Sequence, residues 1–137
     1  MREAVTAVRA IVPGGWPADS RPPYTPGIEA GGFVFVSGQL PVDPSTGVPV
    51  EGGVERQTEQ VLRNLGAVLE EAGASFDDLV KVTVYLLRRA DWPAMNEVYR
   101  GVVGTPPPAR CAVVVPEMAP GASVEIEAIA LAPRRGA

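Results

Sequence analysis

Arg110 stands near the head of the stretch PPPARCAVVVPEMAP (106–120), where three stiff prolines lead into an apolar run that reads as a buried strand. Alternation along that strand puts Arg110, Ala112 and Val114 on one face and Cys111, Val113 and Val115 on the other. A strand-end arginine commonly reaches solvent or a surface ion pair. It can equally be a fixed guanidinium fork that holds a carboxylate through two parallel hydrogen bonds. The same ambiguity recurs in SVEIEAIALA (123–132), where Glu125, Glu127, Ile129 and Leu131 share a face, so two acids open a face that turns apolar. Those acids are either a solvated strand end or half-buried carboxylates of raised proton affinity, suited to handling a proton on water.

The other reactive side chains offer less. Histidine is absent, which excludes a Ser-His-Asp triad, a Cys-His pair and any histidine metal site. Cys111, the one cysteine, has no histidine to deprotonate it and reads as a small buried apolar residue rather than a nucleophile. Ser37 in FVSGQ and Tyr24 in PPYTPG read first as a turn serine and a packed tyrosine. The glycine pairs lack the spacing and context of a phosphate loop.

The elements that must position these residues are legible in the pattern. With 137 residues, 46% hydrophobic and 20% charged, the chain suits one globular domain over 1–137. A net charge of −4 disfavours nucleic acid as a partner. No apolar stretch is long enough to span a membrane and the first residues do not resemble a signal peptide, so a cytoplasmic protein is expected. AVTAVRAIV reads as a strand around 4–12, then PGGWPADSRPPYTPG as a loop carrying Trp16, then GGFVFVSGQLP as a strand. From Val54 to Ala72 apolar or small residues recur on one helical face, at Val54, Thr58, Val61, Leu62, Leu65, Val68, Leu69 and Ala72, and Gly73 is placed to end the helix. A strand follows at 78–87, with Val80, Val82, Val84 and Leu86 on one face. A second helix follows, with Asp91 as candidate cap and Pro93 in its first turn, and then the strands ARCAVVV and SVEIEAIALA. The order β-β-α-β-α-β-β predicts an α+β fold, one mixed sheet with two helices packed on one face. The second face needs cover, and copies of the same chain are its simplest source.

Taken together, PPYTPGIEAGGFVFVSGQLPVDPSTGVPV, QTEQVLRNLGAVLEEAGASFDDLVKVTVYL, MNEVY, PPARCAVVV and VEIEAIA resemble the RidA/YjgF family of reactive-intermediate (enamine/imine) deaminases, from about Tyr24 to Ala132 and in the same order. The resemblance implies a chorismate-mutase-like fold and a homotrimer with sites in the clefts between subunits. It implies hydrolysis of 2-imino acids, formed from enamines such as 2-aminoacrylate, to 2-oxo acids and ammonia. Carried over by position, Arg110 binds the substrate carboxylate and Glu125 positions or activates water. Tyr24, Ser37 and Asn96 line the pocket, and backbone groups near Cys111 help hold the substrate. The imine carbon is already electrophilic, so no metal, histidine or organic cofactor is needed. Three features depart from the family: the Pro22-Pro23-Tyr24 run, a cysteine adjacent to the arginine with Ala112 in the later place, and the opening loop with Trp16. They bear on substrate choice and leave open a pathway-specific paralogue, a carboxylate-binding protein without turnover, and a ribonuclease role reported for some relatives, which the acidic charge disfavours.

Overall fold

The computed structural model describes residues 7–14 and 22–134. Residues 4–6 of the expected first strand, and Trp16, lie outside that range. The described elements are β1 (Arg9–Ile11), β2 (Gly27–Ala30), β3 (Phe33–Gln39), α1 (Gly53–Glu71), β4 (Leu79–Leu86), α2 (Trp92–Arg100), β5 (Ala109–Val114) and β6 (Val124–Leu131). They form one mixed sheet in the order β1-β2-β3-β6-β4-β5. Only β4 and β5 run parallel, joined across α2, and β6 is inserted antiparallel between β3 and β4.

One strand more is present than the pattern predicts. β2 is four residues long and sits within the region expected to be loop up to Gly27 and unassigned beyond it. Its partner makes it a strand: Ala30 lies opposite Phe33, so Gly31 and Gly32 form a two-residue hairpin loop, both at positive φ (60° and 87°). That is the backbone a type I′ turn requires, and glycine adopts it without strain.

The core lies between α1, α2 and one face of the sheet. All eight residues of the expected α1 stripe are buried, packed with Val34, Val36, Val82, Val84, Leu86, Val124, Ile126, Ala128 and Ala130 of the sheet and Met95 and Tyr99 of α2. Val80 departs from its expected face. The β4–β6 register shifts between Leu79 and Lys81, and Val80 is 41% exposed while Val82, Val84 and Leu86 are buried. The shift has the form of a bulge, which turns one residue out of the alternation. Asp91 precedes α2 as expected, but its side chain does not cap the helix; its carboxylate accepts hydrogen bonds from Arg88 instead.

The opposite face of the sheet is open in the single chain. Phe33, Phe35, Val113 and Leu131 point from it and remain exposed. Cys111 shares that face and is exposed too, contrary to its expected burial, because no helix covers this side of β5.

Candidate active site

The sheet divides the expected site residues between its two faces. Arg110 pairs with Val82 of β4 in the parallel register, and Val82 is buried under the helices, so Arg110 projects to the helix side. There its guanidinium carbon sits 4.8 Å from the centre of the Tyr99 ring. Stacking on an aromatic face suits a planar guanidinium and restrains its orientation while the N–H edge stays available. A cleft of about 280 Å³ opens over this pair, lined by Asn96, Arg100, Val103, Pro107 and Pro108 besides Tyr99 and Arg110. The prolines and Asn96 thus flank the arginine. Burial raises the proton affinity of the Tyr99 hydroxyl, and the positive charge of Arg110 acts against that rise.

Glu125 lies on the other side. It pairs with Tyr85 of β4, and Glu127 with Thr83. Glu125, Glu127, Tyr85, Gly38, Val115, Glu117 and Met118 line a second cleft, of about 240 Å³. Burial pushes the Glu125 carboxyl above the usual carboxylate range, and the negative charge of Glu127 pushes it in the same direction. Tyr85 donates its hydroxyl to Oε1 of Glu127 at 2.5 Å. That bond, more than burial, raises the Tyr85 pKa to about 12. Gly38 is the wall behind Glu125: a Cβ there would overlap the Glu125 carboxylate. The glycine is a space requirement imposed by an acid 87 residues further along the chain, and each is one position from the Gln39–Ile126 pair of the β3–β6 pairing.

Ser37 and Tyr24 belong to the loop and strand edge beside Gly38. The Ser37 hydroxyl donates to the Thr25 carbonyl at 2.6 Å, and the Ser37 amide to the Pro26 carbonyl at 2.9 Å. These bonds fasten the 24–26 segment to β3. Tyr24 is 53% exposed. Cys111 is on the Glu125 face of β5, opposite Thr83.

One chain therefore carries two separate candidate clefts. Arg110 and Asn96 share the helix-side cleft, and Glu125 lies in the open-face cleft with Gly38 beside Ser37. β5 and β6 flank β4, and Arg110 and Glu125 pair with Val82 and Tyr85, so they are two strand spacings apart across the sheet and three residues apart along it, roughly 14 Å in all, and on opposite faces. Tyr85, Tyr99 and Gly38 carried no signal of a role in the sequence. Tyr85 and Tyr99 look like packed residues of a strand and a helix, and only the sheet pairing reveals what each touches.

The family model described as endoribonuclease L-PSP matches residues 17–132. The chain belongs to this family, the RidA/YjgF family. Among its relatives, a RutC family protein of Pyrococcus abyssi is 50% identical over 79% of this chain and 85% of its own length. The 2-iminobutanoate/2-iminopropanoate deaminase of Mus musculus is 40% identical over 80% of this chain and 81% of its own. A solved Rid-family structure, YyfA from Yersinia pestis, superposes with a TM-score of 0.85 at 39% identity, covering 91% of this chain and 99% of that one. The mixed sheet with two helices is thus the RidA/YjgF fold. Among the described residues, no helix is long and apolar enough to cross a membrane.

Proposed function

We propose that the chain is an enamine/imine deaminase that hydrolyses small 2-imino acids to 2-oxo acids and ammonia. The observation that carries this reading is Glu125, a half-buried carboxylate of raised proton affinity set in a small cleft. Such a group is a stronger proton acceptor than a solvated carboxylate. The family membership and the named activity of the mouse relative support the substrate class. Arg110 supplies the complementary part. A 2-imino acid is planar and anionic, its carboxylate is its one strong handle, and a stacked guanidinium holds it bidentately.

The reaction needs no further group. Water adds to the imine carbon as Glu125 takes one of its protons, giving a carbinolamine. That proton passes to the nitrogen, and the carbinolamine's hydroxyl proton then passes to the same nitrogen by way of Glu125 as the C=O bond forms and the C–N bond breaks, so ammonia leaves with the 2-oxo acid as co-product. Arg110 and Glu125 of one chain cannot both reach a three- or four-carbon substrate across the sheet, so we assign the complete site to a cleft between copies, with Arg110 and Asn96 from one and Glu125, Ser37 and Tyr24 from the next. The open face of Phe33, Phe35, Val113 and Leu131 supports assembly, and a homotrimer is the arrangement proposed. A nuclease reading, which the family description invites, meets like charge in the Glu117, Glu125 and Glu127 cleft.

The test is to generate 2-iminopropanoate and 2-iminobutanoate in situ and follow their loss with and without the protein. Accelerated loss with stoichiometric 2-oxo acid is expected. Saturable binding of a 2-oxo acid with no acceleration would reduce the protein to a carboxylate binder. Restriction to a single imine would make it a pathway-specific paralogue.

A further inference from the structure

We propose that Tyr85 and Glu127 form a positioning pair for Glu125, in which the tyrosine hydroxyl pins the Glu127 carboxylate so that its negative charge stands fixed beside Glu125. The inference rests on the reading of Glu125 as the proton acceptor. It concerns what makes that acceptor competent.

The geometry follows from the β4–β6 register. Tyr85 lies directly opposite Glu125, and Glu127 lies one pair further along, opposite Thr83. Side chains of diagonal neighbours on one face are within reach of a tyrosine. The Tyr85 hydroxyl takes that diagonal and bonds Glu127 at 2.5 Å. Glu127 is therefore held on the sheet rather than free to swing into water. With a pKa of about 12 the phenol stays a donor at neutral pH.

Among the described residues, those that line the cleft bring Glu125 no positive charge. Glu127 shares its strand face, Tyr85 faces it from β4, Glu117 lines the same cleft from the loop after β5, and Gly38 of β3 brings no charge. Cys111 of β5 stands opposite Thr83, and Lys81 stands opposite Ile129, two pairs away from Glu125. Burial and the charge of Glu127 both raise the Glu125 carboxyl. A fixed like charge raises proton affinity without blocking the cleft. It would make Glu125 a stronger base than a solvated glutamate, at the expense of needing a higher pH to ionise.

The experiment titrates the Glu125 carboxyl by NMR in full-length protein carrying side-chain ¹³C-labelled glutamate, with the signal assigned by its loss in Glu125→Gln. Wild type, Glu127→Gln, Tyr85→Phe and the double variant are compared, and the pH profile of 2-iminobutanoate hydrolysis is recorded on the same samples. Glu127→Gln should move the Glu125 midpoint, and the acid limb of the profile, to lower pH. Tyr85→Phe should move both the same way by less, because Glu127 keeps its charge but loses its tether. In the double variant Tyr85→Phe should add nothing to Glu127→Gln, since the hydroxyl acts through Glu127. A Glu125 titration unmoved by Glu127→Gln, unmoved by Tyr85→Phe, or shifted additively by the two overturns the pair. A purely structural Tyr85 would change melting alone. If wild type hydrolyses no imine at any pH, the deaminase reading fails, while the titration still decides whether the pair acts on Glu125.

Discussion

At the scale of single residues, the two halves of the proposed site make different demands. Arg110 is restrained by the Tyr99 ring beneath it, so its value lies in orientation as much as in charge. Arg110→Lys keeps the charge and loses the fork. The loss of a charge-assisted hydrogen bond, about 1.5–3 kcal/mol, should lower kcat/KM for 2-iminobutanoate roughly ten- to hundred-fold. A lysine variant of wild-type activity would show that potential alone suffices. Glu125→Gln should abolish most turnover while sparing the fold, and its stability should carry a signature of its own. The folded chain holds the Glu125 proton more tightly than the unfolded chain does. The stability this contributes is complete below the unfolded carboxyl pKa and is lost as pH rises through the raised folded value. At neutral pH the ionised carboxylate therefore costs stability, and the amide does not. The variant should melt at or above wild type at pH 7, with the difference shrinking in acid. Scanning calorimetry at the two pH values checks this, and a variant that melts lower at pH 7 would make Glu125 a structural acid. Gly38→Ala tests the same carboxylate from outside. The backbone tolerates alanine there, but the new methyl displaces the Glu125 side chain. Imine hydrolysis should fall by up to about a hundred-fold with little change in melting, as expected when a reacting group is misplaced by about an ångström.

At the scale of elements, the Glu125 cleft depends on a fastening that the helical pattern conceals. Gln57 sits among the apolar residues of α1 and is buried. Its amide nitrogen donates to the carbonyls of Gly121 at 2.8 Å and Val50 at 3.2 Å, and its carbonyl accepts from the Ser123 amide at 2.7 Å. One side chain thus ties α1 to the loop that enters β6 immediately before Glu125. Gln57→Leu would fill the volume but strand three backbone groups, at about 1–3 kcal/mol for each that water cannot reach. Denaturant unfolding should show a loss of that order, with a larger fractional loss of activity than of helix content. An unchanged midpoint would mean that the loop is held by β6 alone. Periodicity located α1 correctly because its apolar stripe repeats over five turns. It could not single out Gln57, since a polar residue beside the stripe looks the same whether it faces water or clamps a loop. The missing β2 has a similar cause. Four residues hold too little pattern, and their strand character comes from β3 across the Gly31–Gly32 turn.

At the scale of the whole molecule, the sheet keeps Arg110 and Glu125 apart, and the proposed trimer is what brings them together. This has a direct test. Arg110→Lys and Glu125→Gln chains, each impaired alone, should complement when co-expressed, because a site can draw its arginine from one variant and its glutamate from the other. Random mixing restores roughly a quarter of the sites in a closed ring. Activity of the mixture no greater than the sum of its parts would mean that the site is not shared between copies. Light scattering on the same sample reports the assembly itself.

The amino-acid sequence by itself determined the two helices, five of the six strands among the described residues, the core face of α1 and the candidates for the chemistry. These depend on short-range periodicity and on residue type, both written locally in the chain. The stripe of α1 shows this, since Val54, Val61, Leu62, Leu65, Val68 and Leu69 recur at helical spacing and are all buried. The tertiary structure decided what local pattern does not encode: which face of which neighbour each strand meets. Alternation says that Arg110 and Cys111 face opposite ways, but not which of them looks toward the helices. Only the parallel pairing of Arg110 with Val82 sends Arg110 under α2 and leaves Cys111 exposed. Likewise, only the insertion of β6 between β3 and β4 sets Gly38 behind Glu125 and Tyr85 over Glu127. Strand order and register are set by the packing of the whole core, so contacts between residues forty or more positions apart emerge only when the chain has closed on itself.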